Sequence, residues 1–436
     1  MEKYIYRYRS ENGYAIFADD LERISFTVPA EQSLGMAQMA PMPVIESAEA
    51  YRAIVEAPVS GKRLREIAAE RNAKSACILV SDASRKVPNA KFSGILIEEL
   101  LAAGIQEENI LFVVAIGVHR PATEAEMQES VGPEYYGRVR IENHTPFDKK
   151  NLVFLGYTKY GTPIEVNRRA WECDLHINIG KCEPHEFAGF SGGRKSVLPG
   201  ISSEKTIVVN HRPKNLYSPF AVPGNLDNNP THLDMLEAAK MFRIDFSVNL
   251  VMNDSMQVSA GFAGELEASH AAAVSYLRKY CGVELRKKPD IIVTTPGAPL
   301  NLDFYQSMKP LIALTEILDR NTAVILYSQC PEGVQSEDML KPFEMTDSVE
   351  DIEGYLCGHY KIQMDHALLL AKILKKGVKI IVYSPNVSSE VIQKMHMIPC
   401  EDPELLLPTA RHLCGKEDAT VLFYPQPQKT LPTLRA

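Results

Sequence analysis

Residues 76–117 read ACILVSDASRKVPNAKFSGILIEELLAAGIQEENILFVVAIG, and this stretch decides the fold class. Two continuous apolar runs, at 76–82 and 110–117, have the length and composition of buried strands. Between them, residues 91–104 place their apolar side chains at helical spacing and end at a glycine, where helices commonly stop. Strand–helix–strand order of this kind predicts an α/β protein with a mainly parallel sheet covered by helices.

The same pattern recurs along the chain and divides it into two series. Further strands are predicted at 152–158, 174–180 and 246–253 and, after a long helix at 264–282, at 290–297, 323–329, 379–386 and 419–426. A chain of 436 residues also exceeds what one hydrophobic core normally serves. We therefore expect an N-terminal α/β domain at 1–270 and a C-terminal α/β domain at 285–418. Residues 419–436 are expected to form a C-terminal strand or arm, available to pack on the other domain.

Composition narrows the class of partner. The net charge of −8 argues against a partner that is itself a polyanion, such as nucleic acid or a membrane surface. No apolar stretch is long enough to span a bilayer, and the N-terminus lacks the apolar core of a signal peptide. The eight cysteines are scattered, without a C-x-x-C pair. These features predict a protein of the reducing cytoplasm.

Polar residues that follow the predicted strands mark the expected site, because ligands of open parallel sheets bind beyond the carboxyl ends of the strands. The residues so placed are Asp82, Arg85, His119 and His185 in the first series and Tyr305, Gln306 and Lys309 in the second. Because both series contribute, we expect the site in the cleft between the two domains. Arg85 and Lys309 suit an anionic substrate, since a guanidinium binds a carboxylate through two parallel hydrogen bonds.

The segment 184–196, PHEFAGFSGGRKS, looks at first like a phosphate-binding P-loop. The motif fails because it requires a glycine at position 194, where the chain has Arg194. Gly192 and Gly193 still indicate close backbone approach, such as a phosphate held by backbone N–H groups. Lys195 beside them is interpreted as a charge clamp or a covalent anchor.

Three histidines, His119, His185 and His211, each follow an apolar strand or a Gly-rich segment. Imidazole can act as a general acid or base near pH 7, or bind nickel, zinc or copper. No H-E-x-x-H motif is present. The other eight histidines are interpreted as structural. The residues alone leave three functions open. These are an enzyme that uses the histidines in the cleft as acid and base, a zinc hydrolase or phosphotransferase, and a non-catalytic metabolite-binding protein.

The motifs together carry a family resemblance. They are, in chain order, SDASRKVP (81–88), GVHRPAT (117–123), PHEFAGFSGGRKSVLPG (184–200), TIVVNHRP (206–213) and YQSMK (305–309). The chain resembles the nickel-dependent lactate racemase family of 2-hydroxyacid racemases and epimerases. In that family the cofactor is a nickel-pincer nucleotide, a pyridinium mononucleotide with two sulfur-containing arms that hold nickel.

The resemblance implies a role for each matching residue. Lys195 would join the cofactor covalently through a thioamide, and His211 would be the protein ligand to nickel. His119 and His185 would be the catalytic acid/base pair. The remaining assignments are cofactor contacts for Asp82, Gly192, Gly193, Tyr305 and Gln306, and substrate contacts for Arg85, Gln306 and Lys309.

The chemistry explains why two histidines and a hydride acceptor are needed. Removing the proton at C2 of a 2-hydroxy acid leaves a poorly stabilised carbanion, whereas removing hydride leaves a planar keto acid that takes hydride back on either face. One histidine must then accept the hydroxyl proton of each enantiomer. The implied partners are a small 2-hydroxy acid and, transiently, the enzymes that make the cofactor, while the oligomeric state stays open.

Two residues depart from the lactate-type pattern. Arg194 stands where a small residue is common, and Lys181 adds a second cation nearby. Either carries the charge to meet a second acidic group of the substrate or the cofactor phosphate, and the sequence leaves open whether either side chain points into the site. The substrate is accordingly predicted to be lactate or a larger, more polar hydroxy acid, such as malate or an aldonate-type sugar acid.

Overall fold

The stretch 76–117 forms the strand–helix–strand unit that its pattern predicts. In the computed structural model, which describes residues 6–82 and 87–435, Ala76–Ser81 and Ile110–Ala115 are parallel neighbours joined through the helix Asn89–Ala102. Ser81 pairs with Ala115, so both strands end at the same edge of the sheet. The polar residues that follow them therefore begin close together.

Contacts divide the chain into two units. The unit that we call the central unit comprises Pro41–His211 and Ser218–Tyr280. The unit that we call the terminal unit comprises the chain up to Ala40, Arg212–Tyr217, and the chain from Cys281 onward.

The main sheet of the central unit has six strands. In spatial order they are Val258–Gly264, Phe246–Met252, Leu175–Lys181, Ala76–Ser81, Ile110–Ala115 and Arg140–Asn143. All neighbours are parallel except Val258–Gly264, which runs antiparallel to Phe246–Met252. Two antiparallel hairpins add the pairs Leu152–Tyr157 with Pro163–Asn167 and Pro184–His185 with Gly189–Phe190.

Helices pack their apolar side chains on this sheet. The α-helices are Ala48–Glu56, Leu64–Glu70, Asn89–Ala102, Glu124–Val131, Arg168–Trp171, Glu204–Asn210, Pro230–Phe242 and Leu266–Cys281, and the 3₁₀ turns are Glu107–Asn109, Lys149–Asn151 and Gly193–Ser196. Phe92 and Leu96 of the helix Asn89–Ala102 are fully buried against Ile78 and Phe112 in one hydrophobic core. Burial on this scale is the main favourable term in folding the unit.

The terminal unit contains a second parallel sheet of six strands. In spatial order they are Ile398–Pro399, Lys379–Tyr383, Ala323–Tyr327, Ile291–Thr294, Val421–Phe423 and Ser33–Met36. An antiparallel sheet of three strands, Tyr6–Glu11, Tyr14–Asp19 and Ile24–Pro29, shares its hydrophobic core. The α-helices are Pro213–Leu216, Phe304–Ser307, Lys309–Ala313, Glu337–Glu344, Ile352–His359, Asp365–Leu374, Ser389–Lys394 and Leu406–Cys414, and the 3₁₀ turns are Ala30–Gln32, Leu300–Leu302, Thr315–Ile317, Pro403–Leu405 and Pro427–Lys429. None of the described helices is long and apolar enough to cross a membrane.

The first forty residues differ from the prediction, which assigned them to the N-terminal domain. Ser33–Met36 instead pairs in parallel with Val421–Phe423 and forms an edge of the second sheet. The ring of Phe17 stacks on Phe423 at 5.0 Å, and Phe26 packs on the same ring. These aromatic contacts hold the N-terminal strands in the terminal unit.

The C-terminal residues also differ from the expected arm on the other domain. Val421–Phe423 lies inside the second sheet, between Ile291–Thr294 and Ser33–Met36. Leu431–Leu434 then pairs in parallel with Gly282–Leu285, and both strands belong to the terminal unit. The C-terminal residues are therefore extended, as their prolines suggested, but they pair with a strand of the terminal unit.

The segment 152–158 is a strand, as predicted, but it is not a buried strand of the parallel sheet. Leu152–Tyr157 pairs antiparallel with Pro163–Asn167, and Phe154 and Tyr157 are exposed. Only residues 158–162 connect the two strands, which is too short for the crossover that parallel strands require. The apolar run therefore forms a hairpin.

Candidate active site

His119 and Asp82 form a carboxylate–imidazole pair at the carboxyl edge of the central sheet. Nδ1 of His119 lies 2.8 Å from Oδ2 of Asp82. The Asp82 side chain is buried, whereas that of His119 is 44% exposed. A carboxylate at Nδ1 holds the proton on that nitrogen and leaves the Nε2 lone pair to accept another proton. The pair can therefore serve as an oriented general base.

His185 has a second carboxylate partner. It lies in the short hairpin that follows the strand Leu175–Lys181, the neighbour of Ala76–Ser81 in the sheet. Its Nδ1 is 3.0 Å from Oε2 of Glu186, and its Nε2 is 3.1 Å from Nζ of Lys195. The backbone N–H of Ala188 also approaches Nδ1, at 3.5 Å. Nδ1 thus faces both the Glu186 carboxylate and the Ala188 N–H, and Nε2 accepts from the Lys195 ammonium.

Phe187 packs between His185 and His211. Its ring centroid is 4.7 Å from that of His185 and 5.0 Å from that of His211, in edge-to-face geometry. Nζ of Lys195 lies 5.8 Å from the same centroid. One aromatic ring thus packs beside Lys195, His185 and His211, the residues that the resemblance links to cofactor attachment, acid/base catalysis and metal binding.

His211 is a buried imidazole that stays neutral. It caps the C-terminus of the helix Glu204–Asn210, and its Nδ1–H donates to the carbonyl of Ile207 at 3.1 Å. Burial, together with the nearby Lys195 ammonium, lowers the pKa of His211 to about 3. A neutral ring that donates from Nδ1 keeps its Nε2 lone pair for a metal.

Gly192 and Gly193 serve the packing of their loop against the sheet. Both have positive φ, at 85° and 48°. A Cβ on Gly192 would lie 2.9 Å from Oδ1 of Asn249, and the N–H of Gly193 already donates to that oxygen at 2.8 Å. The Gly193 N–H is therefore engaged by Asn249, which does not support the expectation that it binds a phosphate. The backbone of these glycines lies close to the side chain of Asn249.

Arg194 corrects the sequence-based expectation, since its side chain is 1% exposed and faces the inside of its own loop. Nη2 donates to the carbonyls of Ala188 and Phe190 at 2.8 and 2.7 Å, and Nη1 lies 3.0 Å from Nε2 of His270. Burial lowers the pKa of Arg194 to about 10, so the group remains charged at pH 7. Arg194 braces the loop, and these contacts leave no basis for a role in substrate choice.

Lys181, the other departure, is tied to its own neighbour on the loop. Its Nζ lies 2.8 Å from Oε2 of Glu183. The ion pair gives this ammonium a carboxylate partner from the protein. The structure thus supplies no contact that would set Lys181 apart for a substrate acid.

The residues predicted from the second series lie in the terminal unit, and Arg85 lies outside the described residues. The ring of Tyr305 stacks on His366 at 4.0 Å, and its hydroxyl donates to Asp365 at 3.3 Å. The buried Oε1 of Gln306 accepts no hydrogen bond from any residue that the structure describes. Lys309 begins the helix Lys309–Ala313. A fixed aromatic ring and an unsatisfied buried oxygen are typical of a ligand-facing segment.

In the central unit, Asp82 and His119 form one pair after two strands of the sheet, and His185 contacts Lys195 in the segment that follows Leu175–Lys181. His211, at the end of the helix Glu204–Asn210, packs on Phe187 beside them. Tyr305, Gln306 and Lys309 belong to the terminal unit. Sequence reasoning missed Glu186, although its position next to His185 in the PHEF motif was an available signal. Within the described chain, no three His, Cys, Asp or Glu side chains cluster to hold a metal ion.

Comparisons with known proteins match both the N-terminal and the C-terminal part of the chain. A sequence model of the lactate racemase N-terminal domain matches residues 20–220, and one of the lactate racemase C-terminal domain matches residues 285–427. A lactate racemase from Thermoanaerobacterium thermosaccharolyticum is 31% identical to this chain over 352 residues, which is 80% of this chain and 82% of that protein. The chain belongs to the lactate racemase family.

Two further comparisons support this lactate racemase family assignment. A lactate racemase from Lactiplantibacillus plantarum is 31% identical over 344 residues, or 78% of this chain and 80% of that protein. The solved structure of the lactate racemase apoprotein from T. thermosaccharolyticum matches with a TM-score of 0.85 and 28% identity, over 95% of this chain and 98% of that one.

A Thermotoga maritima crystal structure matches at a TM-score of 0.65 and 19% identity, over 87% of this chain and 99% of that one, and shows the fold alone. As a lactate racemase family member, the protein is an isomerase, and its predicted α/β fold with two mainly parallel sheets is confirmed.

Proposed function

We propose that the protein inverts the C2 configuration of a 2-hydroxy acid, with His119 and His185 as the acid/base pair. The observation that supports this most is the repetition of one device: each imidazole has a carboxylate at Nδ1, Asp82 at 2.8 Å and Glu186 at 3.0 Å. A racemase needs two bases, one for each enantiomer, whereas a binding protein needs none. Lactate is the substrate named for the relatives, and we propose it as the first candidate here. The larger, more polar hydroxy acids that Arg194 and Lys181 suggested are proposed only as candidates for the assay, because both cations have partners within the protein.

We further propose that the protein uses the nickel-pincer nucleotide that the family resemblance implies. Lys195 would hold it covalently, and His211 would bind the metal through Nε2, since Nδ1–H is engaged by Ile207 and the ring is neutral. The residues fit such a group because they offer the metal one histidine, so the other donors must come with the cofactor. When bound, the group would accept a hydride from C2 and return it.

The protein side of the reaction is proton transfer at Nε2 of the two histidines. The carboxylates at Nδ1 stabilise the imidazolium that forms when Nε2 takes the hydroxyl proton. In His185, Nε2 accepts a hydrogen bond from the Lys195 ammonium. An amide-type bond to Lys195 would remove that charge, so anchoring the cofactor and freeing the His185 base become one event.

The substrate carboxylate is assigned to cations on the two predicted segments, Arg85 and Lys309. Tyr305 and Gln306 precede Lys309 on the same segment, and Tyr305 is held by its stack on His366. A ring fixed in this way can line a ligand site without losing side-chain entropy on binding. Gln306 would then satisfy its buried oxygen through a hydroxyl of substrate or cofactor. The cytoplasmic setting and the transient cofactor-making partners stay predictions.

The decisive experiment tests for the covalent cofactor adduct and for racemisation activity in the same preparation. The chain is co-expressed with cofactor-making enzymes, its intact mass is measured, and enantiopure 2-hydroxy acids that include lactate, malate and aldonates are assayed by chiral chromatography. We expect an adduct that is absent from Lys195→Ala, nickel in the adduct-bearing form, and racemisation of at least one acid.

Three results would contradict the proposal. They are full activity of the unmodified chain, zinc in place of nickel together with hydrolysis, and tight binding of an acid without inversion of C2.

A further inference from the structure

The buried carboxylate of Asp234 hydrogen-bonds to two other elements of the central unit, a hairpin turn and the helix that ends beside His211. Asp234, on the first turns of the helix Pro230–Phe242, is fully buried. Its two oxygens accept hydrogen bonds from Oγ1 of Thr158 at 2.6 Å, from Oγ1 of Thr162 at 2.6 Å and from Nδ2 of Asn210 at 2.8 Å. Thr158 and Thr162 flank the turn of the hairpin Leu152–Asn167. Asn210 is the last residue of the helix Glu204–Asn210.

The bond to Asn210 is the notable one because His211 follows directly. The ring of His211 is oriented through Nδ1 by the Ile207 carbonyl, and its backbone N–H donates to the same carbonyl at 2.9 Å. The orientation of the ring thus depends on the last turn of the short helix Glu204–Asn210. A helix of this length is marginal by itself, so tertiary contacts must hold its last turn in place.

The two ends of this helix are held by different groups. At its N-terminus, Ser203 caps the helix and Oγ1 of Thr206 donates to the carbonyl of Pro163 at 2.7 Å. At its C-terminus, the side chain of Asn210 is held by Asp234, with a longer contact of 3.4 Å to the carbonyl of Thr231. A charged acceptor makes the stronger hydrogen bond, so Asp234 dominates at this end.

We infer that Asp234 is a positioning residue for the metal ligand, which holds His211 in its binding orientation through Asn210. This inference rests on the proposed function, in which Nε2 of His211 binds nickel. Asp234 does not touch the metal or the substrate. It fixes the backbone that carries the ligand, as the outer partners of metal ligands do elsewhere.

The variants separate this pathway from general stability. Asp234→Ala and Asn210→Ala each remove one side of the contact, and the double variant removes both. Asp234→Asn keeps an oxygen that can accept from Asn210. Glu237→Gln is the matched control, since Glu237 lies on the same helix and accepts from the N–H of Lys159 at 2.8 Å, in the same hairpin turn, without contacting Asn210.

The first measurement follows nickel in the intact holoenzyme, by dissociation into excess chelator and by the absorption of the metal centre. Loss of an outer partner typically weakens a metal site by about 10–100-fold, so we expect dissociation about tenfold faster in Asp234→Ala and in Asn210→Ala. The double variant should add less than about twofold, because both changes break the same link. Asp234→Asn should lie closer to the parent, and Glu237→Gln should match it. The Lys195 adduct should persist in every variant.

A second measurement needs no metal. Hydrogen exchange of the full apoprotein, followed by mass spectrometry, should show faster exchange in residues 204–211 for Asp234→Ala and Asn210→Ala, with strands of the central sheet unchanged. Equal exchange in the parent and both variants, or equal nickel dissociation, would overturn the inference while leaving the proposed function intact. A parent that acquires neither adduct nor nickel would refute the proposed function itself, and the role of Asp234 toward a metal would fall with it.

Discussion

The 2.8 Å contact between Nδ1 of His119 and Oδ2 of Asp82 selects the nitrogen that carries the proton. A carboxylate accepts from Nδ1–H and leaves Nε2 basic, whereas an amide in the same place can donate to Nδ1 and shift the proton to Nε2. The same argument applies to His185 with Glu186. Each base of the proposed pair therefore depends on a residue that need not touch the substrate.

We predict that Asp82→Asn lowers kcat by on the order of 10²-fold or more, with little change in KM, because the wrong tautomer faces the substrate. Glu186→Gln should lower kcat in the same way through His185. Racemisation rates from both enantiomers, measured over a range of concentrations, test both variants. Both should retain nickel and the Lys195 adduct, which serves as the control for intact loading. A kcat for Asp82→Asn within about twofold of the parent would remove the orienting role.

At His211 the prediction concerns the metal. The ring is neutral because burial lowers its pKa to about 3, and Nδ1 is engaged by Ile207. We expect His211→Ala to lose nickel while Lys195 keeps its covalent adduct. Elemental analysis and intact mass on the same sample check this. Nickel retained at the parent stoichiometry would show that the metal has another ligand.

At the scale of the element, the loop 184–196 is held from inside by a buried arginine. The guanidinium of Arg194 satisfies the carbonyls of Ala188 and Phe190. We predict that Arg194→Lys lowers the free energy of unfolding by about 2–4 kcal/mol, because an ammonium cannot reach both carbonyls and each orphaned carbonyl costs about 1–3 kcal/mol. Urea denaturation of the apoprotein measures the loss.

Lys181→Met is the matched control for that prediction. Lys181 ends the strand before the same loop, and its largely buried side chain forms one ion pair, with the partly exposed Glu183. Methionine keeps the apolar stem and removes only that pair, so the control should lose less stability than Arg194→Lys. An Arg194→Lys protein as stable as the parent would mean that the carbonyl contacts carry little energy.

The loop also shows how far a sequence can predict a site. Its residues and their order identified the motif, and the structure shows Nε2 of His185 3.1 Å from Nζ of Lys195, while their roles stay a prediction. Arg194 was misjudged because a fully buried arginine is rare, and nothing in the local pattern shows that the carbonyls of Ala188 and Phe190 point toward it. Asp234 was missed for a related reason. Its partners Thr158 and Asn210 are distant in sequence, and only the folded chain brings them to one carboxylate.

Longer-range pairing set the other limit. The strand–helix–strand units were predictable because hydrophobic periodicity is local. The pairing of Ser33–Met36 with Val421–Phe423, and the hairpin formed by Leu152–Tyr157, depend on partners that local patterns do not specify. The domain assignment of the first forty residues therefore could not be read from their own composition.

At the scale of the whole molecule, the histidines whose pKa is lowered by burial lie in the central unit, and most carboxyls whose pKa is raised by burial lie in the terminal unit. The central unit buries the neutral imidazoles of His144, His232 and His270, and burial lowers their pKa values to about 4, 3 and 3. The terminal unit buries carboxyls, and burial raises the pKa of Asp19, of Asp303 and, to about 7, of Glu22. The two units should therefore respond to pH in opposite directions.

The sign follows from proton binding. In the unfolded chain a histidine has a pKa near 6.5 and binds a proton below that pH, whereas the same histidine buried in the folded central unit stays neutral. The stability of the central unit is therefore full above about pH 6.5. It falls toward pH 4 by about 1.4 kcal/mol per pH unit for each buried imidazole. The buried carboxyls of the folded terminal unit keep protons that they would release in the unfolded chain. Their contribution to the stability of the unit is therefore full below about pH 4.5 and is lost as the pH rises through about 7. Glu142, whose pKa is raised by burial, offsets part of the effect in the central unit.

We therefore predict that acidifying the apoprotein from pH 7 to pH 5 destabilises the central unit relative to the terminal unit. Hydrogen exchange at both pH values, corrected for the intrinsic rates, should show the strands Ala76–Ser81 and Ile110–Ala115 losing protection relative to Ala323–Tyr327 and Lys379–Tyr383. His144→Gln should lower the pH dependence of the opening free energy of the central strands by the slope of one titrating group, about 1.4 kcal/mol per pH unit. Glu22→Gln should lower the pH dependence of the opening free energy of the terminal strands. If both sheets lose protection in parallel, the unit-specific burial of imidazoles and carboxyls does not govern the acid response.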